Sequence, residues 1–96
     1  MRKPVNAVRL LKLDVQVADT GLAMVVLSWA GNTTETYEVS GEKSKMLIRS
    51  ALGLLDKQAA ADKVRNGPQN EVTPYALLHL EGVVRVAYTQ LKKALL

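Results

Sequence analysis

The chain has no cysteine and no phenylalanine. The first absence excludes disulfides, thiolate nucleophiles and cysteine-ligated zinc or iron–sulfur centres, so a small fold has to be held by packing or by oligomerisation. It also makes the cytoplasm the expected compartment. The second absence, with one Trp (Trp29) and three Tyr (Tyr37, Tyr75, Tyr88), predicts an aliphatic core of Leu, Val and Ala. Histidine is almost missing too: His79 stands alone, and the carboxylates are scattered without close pairing. Catalysis requires groups that converge in a pocket, and no triad can be composed from these spacings. The chain is therefore read as non-enzymatic, with no catalytic residue. Hard-cation loops need clustered carboxylates and imidazole sites need several histidines, so no metal is expected. A lone histidine carries no motif, which makes His79 a helical surface group before it is a base or a pH-sensitive contact.

Phosphate loops are also lacking. Gly41-Glu42-Lys43-Ser44 holds the residue types that end a P-loop, but lysine does not follow glycine directly and the upstream glycine is not in place. Helix-cap chemistry accounts for Ser40 and Gly41, and no cofactor is implied. Long hydrophobic runs are absent as well. The longest uncharged stretch, Thr20 to Thr34, contains Gly, Ser, Asn and Thr and is too short for a bilayer-spanning helix. Met1-Arg2-Lys3-Pro4 begins like a signal peptide, yet Arg9, Lys12 and Asp14 interrupt the apolar segment that should follow. Neither a targeting signal nor a membrane contact is expected.

What is present suits one folded domain spanning residues 1–96, since apolar residues make up 48% and charged residues 23% of the chain. Leu11, Leu13, Val15 and Val17 alternate with Lys12, Asp14 and Gln16, the pattern of a half-buried strand. Ala18-Asp19-Thr20-Gly21 supplies a hairpin turn, with Gly21 free to take positive φ. The next run, Leu22 to Ala30, is apolar on both alternating faces, as a central strand or one covered by another subunit would be. Gly31-Asn32 signals a second turn, and Thr34–Val39 reads as a third, more polar edge strand.

Ser40 is placed as an N-cap, with Glu42 in the first turn of a helix that Asn66-Gly67-Pro68 stops near Arg65. Its buried face is predicted to be Leu47, Ile48, Ala51, Leu52, Leu55 and Ala59. Thr73-Pro74 starts a second helix that runs to the C-terminus. Leu77, Leu80, Val84, Ala87, Leu91 and Ala94 form its seam, while Leu78, Val83, Val86, Tyr88 and Leu95 lie off it. The fold class is thus α+β: a three-stranded antiparallel β-meander followed by two α-helices packed on the sheet.

Two uses are open to such a chain. The surplus of apolar positions points to a protein-interaction module, a homodimer or an inhibitor or adaptor that binds another protein, with Val25, Leu27, Trp29, Leu77, Leu80, Val84 and Leu91 as interface candidates. Trp29 is weighed there against a place within the fold, the commoner position for a strand tryptophan. The alternative is a small nucleic-acid-binding or regulatory protein. The net charge of +4, the basic Arg2 and Lys3, and Lys43, Lys45 and Arg49 near a helix N-terminus would serve it, but interspersed acids and the scarcity of aromatic stacking platforms weigh against it. The residues carry no family resemblance. The length and the lack of motifs suit many small accessory proteins, including ones that block another protein by occlusion.

Overall fold

A computed structural model describes residues 9–96. Three strands, β1 (Leu10–Val17), β2 (Ala23–Trp29) and β3 (Thr33–Val39), precede two helices, α1 (Gly41–Asn66) and α2 (Thr73–Ala94). The strands form one antiparallel sheet in the order β1-β2-β3, so the chain is the predicted α+β meander with both helices after the sheet. Two compact units are distinguished. The first ends at Arg49 and holds the sheet; the second runs from Ser50 to Leu96.

Turn chemistry sets the hairpins where the sequence places them. Gly21 has φ 87°, and its N–H donates to the Ala18 carbonyl at 2.9 Å while Ala18 donates to Leu22 at 2.8 Å. Gly31 and Asn32 also have positive φ, 88° and 63°, a conformation that glycine adopts freely and asparagine tolerates.

Directly opposed residues in an antiparallel sheet share a face. Val25 lies between Val15 and Tyr37, Leu27 between Leu13 and Glu35, and Trp29 between Leu10 and Thr33. This face holds the core, with Leu10, Val25, Leu27 and Trp29 all inside, but Val15 and Val17 on the same face of β1 are exposed, contrary to the alternation that put them inside. The opposite face carries Met24, Val26 and Ser28, half-buried and bordered by Lys12, Asp14, Gln16, Thr34, Thr36 and Glu38. The two-sided apolar character of β2 thus leaves only a narrow apolar strip flanked by polar neighbours, an ordinary solvated sheet face. Among the described residues β2 is the central strand and β1 and β3 are the edges.

One detail departs from strict alternation. The register shifts between Leu10 and Lys12, so Leu11 is the extra residue of a β-bulge. Leu10 takes the inward place opposite Trp29 and is 1% exposed, whereas Leu11, expected inside, is 56% exposed. A one-residue slip exchanges the two faces of a strand, and the bulge performs that slip locally.

The buried face of α1 is Leu47, Ala51, Leu54, Gln58 and Ala61. Leu47 and Ala51 agree with the predicted face. Ile48 and Leu55 are half-buried, and Leu52 and Ala59 are exposed. Repeated steps of four drift about 40° each around a helix of 3.6 residues per turn, whereas alternating steps of four and three stay on one face. That path runs through Gln58, which polarity alone would put outside.

The chain enters α1 through Gly41 at φ 57°, and the Ser44 hydroxyl donates to the Gly41 carbonyl at 2.7 Å. Between the helices, the Gln69 side-chain amide donates to the carbonyls of Arg65 (3.1 Å) and Gly67 (2.9 Å), supplying donors that the end of α1 lacks. Asn70 then leads into α2: its Oδ1 accepts from the Val72 N–H at 3.0 Å and from the Thr73 hydroxyl at 3.3 Å. Thr73 was expected to cap the helix. Instead its buried hydroxyl turns back to accept from the Asn70 N–H at 2.9 Å, and Val72 holds the cap position without a side-chain bond. Among the described residues, no helix is long and apolar enough to cross a membrane.

Candidate protein-docking site

The structure divides the predicted interface residues. Val25, Leu27 and Leu91 are each 0% exposed and Trp29 is 8% exposed, so these four are core positions and offer no surface to a partner. The physical reason is the central place of β2, whose inward face is covered, and the position of Leu91 on the inward seam of α2. Leu77, Leu80 and Val84 lie on the same seam and are half-buried.

Trp29 is held within its own sheet. The indole Nε1 donates to Glu35 Oε1 at 2.7 Å, a diagonal contact between neighbouring strands near the Gly31-Asn32 turn. Tyr37, two residues further on the same face, has its phenol pushed above the usual 10.0 by burial first and then by the charge and hydrogen bond of Glu35. One carboxylate therefore organises two of the chain's few aromatic side chains.

Exposed large apolar residues occur on β1 (Leu11, Val15, Val17) and α1 (Met46, Leu52), and those on the outer side of α2 fall into a line. The inward seam runs through Thr73, Leu77, Leu80, Val84, Ala87 and Leu91. A second stripe follows Tyr75, Leu78, Gly82 and Val86 at steps of three and four, and these side chains are 74%, 72% and 59% exposed at Tyr75, Leu78 and Val86. Val72 adjoins it at the start of the helix, also exposed. The stripe continues into Thr89, whose hydroxyl donates back to the Arg85 carbonyl, and then Lys93. At its centre, a Cβ on residue 82 in place of the Gly82 hydrogen would meet, beyond its own helix backbone, nothing within 4 Å among the described residues. Packing among those residues therefore does not require a glycine there, although glycine inside a helix costs about 1 kcal/mol relative to alanine. Leu78 and Val86 were recognised in the sequence as lying off the seam. Tyr75 was missed, although its spacing of three from Leu78 and seven from Gly82 was the available signal.

The basic candidates are less gathered. Lys43, Lys45 and Arg49 are exposed on the first turns of α1, where Lys45 lies 3.4 Å from Glu42. Lys12 on β1 pairs with Asp14 at 3.2 Å. Arg2 and Lys3 lie outside the described residues. His79 is exposed beside the outer stripe, and among the described residues no three His, Asp or Glu side chains are grouped to hold a metal ion.

These observations define a small α+β chain, a meander followed by two helices, whose second helix is apolar on two sides and covered on one. Compared with known proteins, it matches no protein family, no curated protein and no solved structure.

Proposed function

We propose that this chain is a non-enzymatic protein-interaction module that docks through the outer face of α2. The observation that carries the reading is the exposed stripe of Tyr75, Leu78 and Val86 on a helix that already has an inward seam. Exposed apolar residues scattered singly are ordinary, but here they recur at helical spacing along one line, as the anchors of a helical docking face do. The aromatic member adds area at low conformational cost.

The test compares bead-bound wild-type chain with Leu78→Asp and Val86→Asp variants as bait, each first shown to be folded by circular dichroism. A protein retained by the wild type, lost by both variants and kept by Leu52→Asp, which charges an exposed position on α1, supports the reading. Equal retention by all four overturns it, as does retention by none from a chain that is also monomeric at every concentration. Leu27→Asp and Leu91→Asp are unsuitable as probes, because a charge at a fully buried site unfolds the chain instead of reporting on docking.

A further inference from the structure

Building on the docking face just described, we propose that its occupant is a second copy of this chain, packed antiparallel across a two-fold axis that passes between the two Gly82 residues. The stripe is self-complementary about that residue. Leu78 and Val86 stand four residues before and after Gly82, so in an antiparallel pair each Leu78 meets the Val86 of the other copy. Tyr75 and Thr89 stand seven residues away on either side and meet likewise. Eleven residues away, about three helical turns, Glu71 precedes the helix and Lys93 closes it, so both ends of the pair bring a carboxylate to an ammonium.

Gly82 faces itself at the crossing. With no side chain there and open space around it, two backbones can approach closely, which brings the flanking Leu78 and Val86 into contact. A parallel pair would instead oppose Glu71 to Glu71 and Lys93 to Lys93, so the charges select the antiparallel arrangement and its register more than they add affinity. His79 and Arg85, three residues either side of Gly82, fall about 60° off the stripe and form its rim, the one pairing that contributes no attraction. Three large apolar anchors per copy make a small contact, and small contacts belong to the weak, transient class. Self-association is therefore concentration-dependent.

The experiment combines solution mass with an engineered thiol. Because the chain contains no cysteine, Gly82→Cys introduces its sole thiol, at a helical position with room for a side chain. Light scattering behind a sizing column should show the mass rising towards a dimer with concentration, and Leu78→Asp should abolish the rise. Mild oxidation should join Gly82→Cys copies through a disulfide, which needs Cα atoms within about 7 Å, and should leave Leu52→Cys unjoined. Glu71→Lys and Lys93→Glu should each weaken association by about two- to thirty-fold, and the double exchange should restore it. A monomer at every concentration overturns the proposal, as does a dimer that neither joins at position 82 nor recovers with the charge exchange. A monomer whose Leu78 is needed to retain a different protein on the beads overturns self-docking alone and leaves the docking face standing.

Discussion

The contact between Trp29 and Glu35 can be taken apart quantitatively. The indole donates to the carboxylate at 2.7 Å, and Trp29 is 8% exposed, so water cannot readily replace the lost acceptor. A hydrogen bond to a charged group contributes about 1.5–3 kcal/mol, and leaving a buried donor unsatisfied costs about 1–3 kcal/mol. Glu35→Ala should therefore destabilise the chain by about 2 kcal/mol. Glu35→Gln, which keeps a neutral acceptor, should cost about half of that. Trp29→Phe loses the same bond together with packing volume, so the single changes overlap and only a double-mutant cycle isolates the contact. The coupling expected between Trp29→Phe and Glu35→Ala is about 1–2 kcal/mol. Urea unfolding followed by far-ultraviolet circular dichroism measures all four chains, and the single tryptophan gives an independent fluorescence signal in those that retain it. A coupling below about 0.5 kcal/mol, the scatter between independent sites, would refute the account of Trp29 as a residue fastened by Glu35. So would a Trp29→Phe chain of unchanged stability and altered solution mass, because that pattern belongs to an interface residue.

Tyr37 and Gly53 give two further expected outcomes. Burial and Glu35 raise the ionisation of Tyr37 above 10.0, so the unfolded chain loses this proton before the folded one does. The contribution of Tyr37 to stability is complete below pH 10 and falls as pH rises through 10 towards the folded value; Tyr37→Phe should remove that part of the alkaline slope, and a phenolate absorbance titration should show Glu35→Gln moving the group back towards 10.0. An unchanged titration in Glu35→Gln would contradict the assignment. Gly53 lies inside α1, and among the described residues nothing beyond its own helix backbone comes within 4 Å of the point an alanine Cβ would occupy, so Gly53→Ala should raise stability by about 0.8–1 kcal/mol. Thermal unfolding would read this as an increase of several degrees, and a decrease would mean that the site is more crowded than its geometry indicates.

The two edges of the sheet bear on how the chain meets partners. Among the described residues β1 is an edge strand that exposes Val15 and Val17, a feature that invites strand addition. The same strand carries the Leu11 bulge and the Lys12–Asp14 pair, both of which make an edge a poor template for another strand. No comparable obstacle interrupts the outer stripe of α2, where Tyr75, Leu78 and Val86 follow one line around an open glycine.

By itself the sequence determined the order and kind of every element. Alternation from Leu11 to Val17, the turn residues at Gly21 and Gly31-Asn32, the stop at Asn66-Gly67-Pro68 and the start at Thr73-Pro74 are local signals, set by backbone preferences that need no long-range contact to be read. It also marked Leu78 and Val86 as surplus to the seam of α2. Which apolar residues are inside was a different matter. Val25, Leu27, Trp29 and Leu91 have the side chains of an interface as much as of a core, and hydrophobicity does not distinguish the two. Which face of the sheet is covered decided it for β2, and the choice of seam on α2 decided it for Leu91. The bulge that exchanges Leu10 for Leu11 and the rotation that brings Gln58 inside depend on pairing register and helical phase, which arise only when separate segments of the chain are held together.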